Sequence, residues 1–140
     1  NLKNIFQSLN KISSNSQIIM PIHPNTKNKL KKLNFNLNKL SLISPVGYFE
    51  MTWLIQNCKI LITDSGGLQK EAFFNRKPCI TLREETEWSE LLDAGVNCLA
   101  PPGGADIVTI FYSMQDVSID DKLLLYGDGK AGEKIVERLI

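Results

Sequence analysis

Apolar and polar residues alternate along this chain in two periods, one typical of helices and one typical of strands. The first segment follows the helical period, with its apolar side chains on a single face: Leu2, Ile5, Phe6, Leu9 and Ile12. A short Ser/Asn turn separates it from a compact apolar run whose length suits a buried strand. The same helix-then-strand order recurs through the rest of the chain.

This pattern predicts seven helices and five strands. The predicted helices are Leu2–Ile12, Pro24–Leu33, Tyr48–Asn57, Gly66–Asn75, a helix near Glu85–Ala94, and two more beyond the Pro101-Pro102-Gly103-Gly104 break. The predicted strands are Gln17–Ile22, Leu40–Ser44, Lys59–Thr63, Pro78–Leu82 and Asn97–Ala100. Short apolar strands that alternate with helices indicate an α/β fold, with a parallel sheet covered by helices on both faces.

Ligands of such sheets bind at the carboxyl ends of the strands. Four residues each follow one of those ends and are therefore expected on one rim: His23, Gly47, Ser65 and Arg83.

The most informative part of the rim is the turn Ser65-Gly66-Gly67, which joins a strand to a helix. Two glycines let a phosphate approach the backbone, and the free N–H groups of a helix's first turn attract an anion. Glu71 lies one turn further along, about 6 Å up the axis, where a carboxylate suits a ribose diol. The turn thus predicts a nucleoside diphosphate site. On spacing alone, a tight turn capped by Ser65 or Asp64 explains it equally well.

Composition narrows the function classes. The turn lacks the Lys-Ser/Thr of a P-loop and the third glycine of a dinucleotide fingerprint, which argues against ATPases and NAD enzymes. With 140 residues, 43% of them hydrophobic, and a net charge of +1, the chain fits one globular domain with no expected nucleic acid or membrane partner. A lysine cluster is expected on a solvated helix face: Lys27, Lys29, Lys31 and Lys32.

Three widely spaced cysteines, Cys58, Cys79 and Cys98, lie in or beside apolar strands. They fit buried reduced thiols of a cytoplasmic protein better than disulfides or metal ligands. We therefore expect no metal site and no cofactor. The chain begins at Asn1 without a methionine or signal peptide, which suggests a piece of a longer protein.

Five motifs in order resemble the C-terminal half of the non-hydrolysing UDP-N-acetylglucosamine 2-epimerases, over nearly the whole chain. They are Pro21-Ile-His-Pro-Asn-Thr26, Ser44-Pro-Val-Gly-Tyr48, Thr63-Asp-Ser-Gly-Gly-Leu-Gln-Lys-Glu-Ala72, Lys77-Pro-Cys-Ile-Thr-Leu-Arg-Glu-Glu-Thr-Glu87 and Tyr126-Gly-Asp-Gly-Lys-Ala131. Their order and spacing are far more specific than the Ser-Gly-Gly turn, and they favour the nucleotide interpretation.

The resemblance implies a GT-B architecture, two Rossmann-like domains around a UDP-sugar, with residues 1–140 as the second domain. In such enzymes UDP leaves C1 as a proton leaves C2, and the pieces recombine with inverted configuration at C2. Carried over by position, the diphosphate site is Ser65, Gly66 and Gly67, the ribose ligand is Glu71, and the uracil site is the backbone near Val46 and Met51.

No catalytic residue is assigned to this chain, because the family's acid and base lie in the N-terminal half and its His-Arg-x-Glu-Asn motif would precede Asn1. The chain alone is thus expected to be inactive. The residues Glu84, Glu85 and Glu87 are interpreted as first-turn acids of a helix. A possible substrate or regulatory site comprises His23, Arg83 and Trp88.

Trp88 departs from the commoner family pattern, which has an arginine there. A tryptophan resembles the subgroup that acts on modified sugars such as UDP-2,3-diacetamido-glucuronic acid. A structural role, in which Trp88 packs the start of its helix against the core, is the alternative.

The resemblance also implies partners: the UDP-sugar, the N-terminal domain of the same enzyme, and a second copy in a homodimer. It implies a cytoplasmic enzyme of cell-surface polysaccharide biosynthesis. Three rivals remain open: a GT-B glycosyltransferase, a hydrolysing 2-epimerase, and a non-catalytic nucleotide-sugar binding module.

Overall fold

The computed structural model describes residues 2–32, 35, 37 and 39–139. The helices are α1 (Leu2–Ile12), α2 (Pro24–Lys32), α3 (Tyr48–Asn57), α4 (Gly66–Phe74), α5 (Ser89–Asp93), α6 (Ile107–Met114) and α7 (Ala131–Leu139). The strands are β1 (Ile19–Pro21), β2 (Ser41–Ile43), β3 (Leu61–Thr63), β4 (Cys79–Thr81) and β5 (Asn97–Leu99). Every predicted element is present, and α1 and α3 have the predicted bounds. Leu33, the predicted end of α2, lies outside the described residues.

One predicted helix begins in the wrong place. The segment from Glu85 was expected to be helical, but α5 begins only at Ser89 and is five residues long. Residues 83–88 form a loop instead. Glu84, Glu85 and Glu87 are therefore not first-turn acids, and the acidic residue in the first turn of α5 is Glu90.

The strands are parallel, as predicted, but their hydrogen bonds divide them into two sheets within the described chain. One sheet pairs β1 with β2, and the other has the order β3-β4-β5. The two sheets share apolar packing, since Ile62 of β3 packs against the core cluster that contains Ile22 and Leu30. The two sheets are thus connected by side-chain packing, whereas one continuous hydrogen-bonded sheet was expected.

Strand β4 lies at the centre of a three-layer arrangement. Its three residues are all buried, and successive side chains point to opposite faces of the sheet. Ile80 packs against α1 and α6, in a cluster with Ile12, Ile107 and Phe111. Thr81 points to the other face, where Asn97 links it to Gln69 of α4. Helix α4, which begins at the Ser-Gly-Gly turn, is therefore anchored to the centre of the sheet.

The surface confirms the predicted lysine face, and for one of the three cysteines it confirms the predicted burial. The four lysines of α2 are exposed. The cysteines are free thiols, with Cys79 buried and the other two half-buried, and burial raises the pKa of the Cys79 thiol to about 12. No helix in the described ranges combines the length and the apolar character needed to cross a bilayer.

Candidate functional site

The turn before α4 is shaped by two side-chain hydrogen bonds. Ser65 is the N-cap, with extended backbone, and its hydroxyl oxygen accepts from the Leu68 N–H at 3.5 Å. The Ser65 N–H in turn donates to Oγ1 of Thr63, the last residue of β3, at 3.1 Å. These contacts direct the chain from the strand into the helix. They leave the N–H groups of Gly66 and Gly67 in the first turn, where no intrahelical acceptor exists.

The two glycines have different surroundings. A Cβ on Gly66 would collide with the Glu87 carboxylate, so glycine here permits a close approach within the protein. A Cβ on Gly67 would meet nothing nearer than the Ser65 hydroxyl at 4.0 Å, and the backbone of Gly67 is not in the left-handed region. Nothing described within the chain therefore requires a glycine at 67. A phosphate lying against the backbone would require one.

Glu71 is half-exposed one helical turn beyond the glycines. The Tyr48 hydroxyl donates to its Oε1 at 3.5 Å, so the start of α3 lies beside the middle of α4. Sequence reasoning placed Tyr48 in a motif but gave it no role. This contact joins helices that follow strands of different sheets, which no local pattern could have indicated.

The expected uracil site is at the start of α3. Val46 and Met51 are both half-buried on either side of the exposed Tyr48. The Met51 N–H already donates to the Gly47 carbonyl at 3.0 Å. Backbone contacts to a base at this end of α3 would therefore come from the segment around Val46 rather than from the Met51 amide.

Arg83 and Glu87 form an ion pair beside the turn. Nη1 of Arg83 lies 2.9 Å from Oε2 of Glu87, and both side chains are partly exposed. The backbone N–H of Glu87, and then the Arg83 guanidinium, lower the pKa of the Glu87 carboxyl below its usual value. The structure thus shows Arg83 anchoring the Glu87 carboxylate, and that carboxylate lies against Gly66.

Trp88 lies against the same turn. Its indole N–H donates to the Gly66 carbonyl at 2.9 Å, and its ring meets the Tyr126 ring edge-on at 6.2 Å between centroids. The Lys70 ammonium lies over both rings, 4.1 Å from the Trp88 centroid and 4.2 Å from the Tyr126 centroid, within the range of cation–π attraction. The packing expected of a structural tryptophan is therefore present. An effect of Trp88 on sugar choice stays a prediction.

A buried hydrogen-bond network supports this side of the site. Oε1 of Gln69 accepts from the Thr86 hydroxyl at 2.6 Å and from Asn97 Nδ2 at 2.9 Å. Oδ1 of Asn97 accepts from the Thr81 hydroxyl at 2.9 Å. Gln69, Thr81 and Asn97 are each at least 96% buried, so their polar groups need these partners. Sequence reasoning missed them, although a polar residue inside an apolar strand, such as Thr81, is a usable signal.

His23 is exposed and lies apart from these contacts. Its Nδ1 accepts from the Asn25 backbone N–H at 3.2 Å, just as an N-cap side chain would at the start of α2. The neutral ring therefore carries its proton on Nε2. The described hydrogen bond of His23 is local, and the structure brings together Ser65, Gly66, Gly67, Glu71, Arg83 and Trp88 without it.

The uncrowded backbone at Gly67, with the Glu71 carboxylate one helical turn away, agrees with the comparisons to known proteins. The family profile described as UDP-N-acetylglucosamine 2-epimerase matches residues 1–140. The chain belongs to this family. Family membership confirms the resemblance drawn from the five motifs.

Individual relatives and solved structures match this chain over nearly its whole length. The chain is 42% identical, over 99% of its own length, to the UDP-2,3-diacetamido-2,3-dideoxy-D-glucuronate 2-epimerase of Pseudomonas aeruginosa, of which it covers 39%. The solved UDP-GlcNAc 2-epimerase of Methanocaldococcus jannaschii superposes with a TM-score of 0.83 at 36% identity. The structure of that enzyme in complex with UDP-GlcNAc and UDP gives a TM-score of 0.78. In both structures the match covers 99% of this chain and 40% of the solved chain.

These matches confirm the α/β fold with parallel sheets, in the form found in GT-B-type 2-epimerases. The chain spans about 40% of the length of the family members it matches.

Proposed function

We propose that this chain is the UDP-binding part of a UDP-sugar 2-epimerase, in which the turn at Ser65, Gly66 and Gly67 binds the diphosphate. The observation that carries the proposal is Gly67, because neither backbone conformation nor a neighbouring atom of the described chain demands a glycine there. Glu71 would accept hydrogen bonds from the ribose hydroxyls, and the loop around Val46 would receive the uracil. The M. jannaschii relative solved with UDP-GlcNAc and UDP supports this ligand class.

The reaction requires UDP to depart and return. When the C1–O bond breaks, negative charge grows on the diphosphate as C2 loses its proton. Fixed N–H groups at the start of α4, with the helix dipole behind them, would stabilise that charge without moving a proton. The same groups would hold UDP until it adds back to C1 and C2 is protonated on the opposite face.

The acid and base would come from the rest of the enzyme, which this chain spans only in part. We propose an N-terminal domain that closes over the turn from the other side of the sugar, with residues 1–140 as the second domain. A homodimer, a cytoplasmic location and a role in cell-surface polysaccharide synthesis belong to this proposal as well. Family membership supports them.

The decisive experiment substitutes Gly67 with alanine and measures stability and UDP affinity together. Alanine at a helical position without strain should stabilise the chain by about 0.4–1 kcal/mol, since it loses less conformational entropy on folding. Its methyl group should occupy the space of a phosphate oxygen and weaken UDP binding by about tenfold or more. Denaturant unfolding and titration calorimetry on residues 1–140 give the two values.

Gly132→Ala is the matched control, because Gly132 is the second residue of α7 as Gly67 is the second residue of α4, and a Cβ there also meets nothing. It should leave UDP affinity unchanged. If Gly67→Ala binds UDP as tightly as the unsubstituted chain, or if that chain binds no UDP at millimolar concentration, the proposal is wrong.

The substrate sugar has a second candidate besides N-acetylglucosamine. Trp88 stands where the commoner pattern has an arginine, and the P. aeruginosa relative is named for a diacetamido-glucuronate sugar. We propose a 2,3-diacetamido uronic acid as this alternative.

A further inference from the structure

The single N–H of the Trp88 indole donates to the carbonyl of Gly66. That carbonyl and the N–H of Gly67 belong to the same peptide group, which is planar and trans. They therefore point in opposite directions, and a bond that fixes the oxygen also fixes the direction of the N–H. A donor on the carbonyl further polarises the amide and strengthens its N–H as a donor.

Trp88 is itself held from several sides. Its backbone N–H donates to the Thr86 hydroxyl oxygen at 3.2 Å, and that hydroxyl donates to the buried Gln69 side chain at 2.6 Å. The indole ring packs edge-on against Tyr126. The segment before Tyr126 is in turn held by Arg76, whose guanidinium donates to the Asp121 and Leu123 carbonyls at 2.9 and 3.1 Å. The position of the indole N–H is thus set by contacts with α4 and with Arg76, two residues beyond its end.

We propose that Trp88 is a positioning residue for the diphosphate, which aims the Gly67 N–H at the ligand through the shared Gly66–Gly67 peptide group. The inference rests on the proposed function, in which the diphosphate lies at this turn. It assigns to the indole N–H an effect on phosphate contacts, separate from any effect of the ring on the sugar.

Trp88→Phe tests this, because phenylalanine keeps a ring against Tyr126 and Lys70 but has no donor. UDP and uridine are titrated into residues 1–140 and followed by NMR. We expect UDP affinity to fall about threefold to tenfold, and uridine affinity to stay the same. Tyr112→Phe is the control, since it also removes one side-chain hydrogen bond from an aromatic residue, to Asn15 on the opposite face of the sheet. It should change neither affinity.

Equal losses for UDP and uridine would show a general structural role and overturn the inference, as would equal UDP affinity in Trp88→Phe and the unsubstituted chain. Failure of the unsubstituted chain to bind UDP would overturn the proposed function instead. The second measurement needs no ligand: in Trp88→Phe the Gly67 amide proton should shift in the ¹H–¹⁵N spectrum by more than other amides of α4. A Gly67 resonance that does not move would refute the positioning role by itself.

Discussion

In the proposed site, Glu71 alone would bind the ribose hydroxyls through its side chain. Hydrogen bonds to a charged group are worth about 1.5–3 kcal/mol each, so Glu71→Ala should lower UDP affinity at least about tenfold. The loss should disappear with 2′,3′-dideoxy-UDP, which has no hydroxyls for the carboxylate to accept from. Titration calorimetry with the two nucleotides measures both quantities.

Glu137→Ala is the control for charge, because Glu137 is an exposed carboxylate on α7. It should bind both nucleotides as the unsubstituted chain does. A Glu71→Ala variant that loses the same affinity for both nucleotides would place Glu71 away from the ribose.

The residues of this site differ in how far the sequence could reveal them. Ser65, Gly66, Gly67 and Glu71 lie within seven consecutive positions, so the strand, turn and helix periods alone bring them together. The Tyr48 side chain contacts Glu71, which is 23 residues away in the sequence, and the Trp88 side chain contacts Gly66, which is 22 residues away. Contacts of that range depend on how loops from different strands meet, which local periodicity does not encode.

At the level of elements, helix α4 is held to the sheet by the amide of Gln69. Gln69→Leu keeps the volume but leaves the donors of Thr86 and Asn97 without their acceptor. An unsatisfied buried polar group costs about 1–3 kcal/mol, so the free energy of unfolding should fall by at least that amount. Urea denaturation followed by circular dichroism measures it.

Gln56→Leu provides the comparison, since Gln56 is an exposed amide on α3. Its substitution should change stability by less than about 0.5 kcal/mol. Similar losses in the two variants would mean that the network around Gln69 contributes little to stability.

The start of α5 shows why one element was predicted wrongly. The segment 84–87, with three glutamates, resembles the first turn of a helix in composition. In the structure residues 83–88 form a loop, in which the side chains of Thr86 and Trp88 donate hydrogen bonds to α4. Helix α1 has a clear apolar period and needed no such distant partner, and it was predicted to the residue.

At the level of the whole molecule, the proposed choice of sugar is a property to test in the full-length protein. The single N–H of the Trp88 indole already donates to the Gly66 carbonyl. Any effect of Trp88 on the sugar would therefore come from its apolar ring. An arginine would instead offer a charge and five donors. We expect the full-length enzyme to have a higher kcat/KM for a 2,3-diacetamido uronic acid UDP-sugar than for UDP-N-acetylglucosamine, and Trp88→Arg to narrow the difference. A higher kcat/KM for UDP-N-acetylglucosamine that Trp88→Arg does not change would contradict this prediction.

Helix α7 buries none of its nine residues, and its large apolar side chains Ile135, Val136 and Leu139 are 53–80% exposed. Its described ion pair joins Lys134 to Asp128, in the segment just before the helix. A helix this short is marginal in water when nothing packs against it. We therefore expect α7 of the chain alone to be in an equilibrium between helix and coil that shifts with temperature, independently of the cooperative unfolding of the core. A surface that covered its apolar face would shift this equilibrium to the helical side.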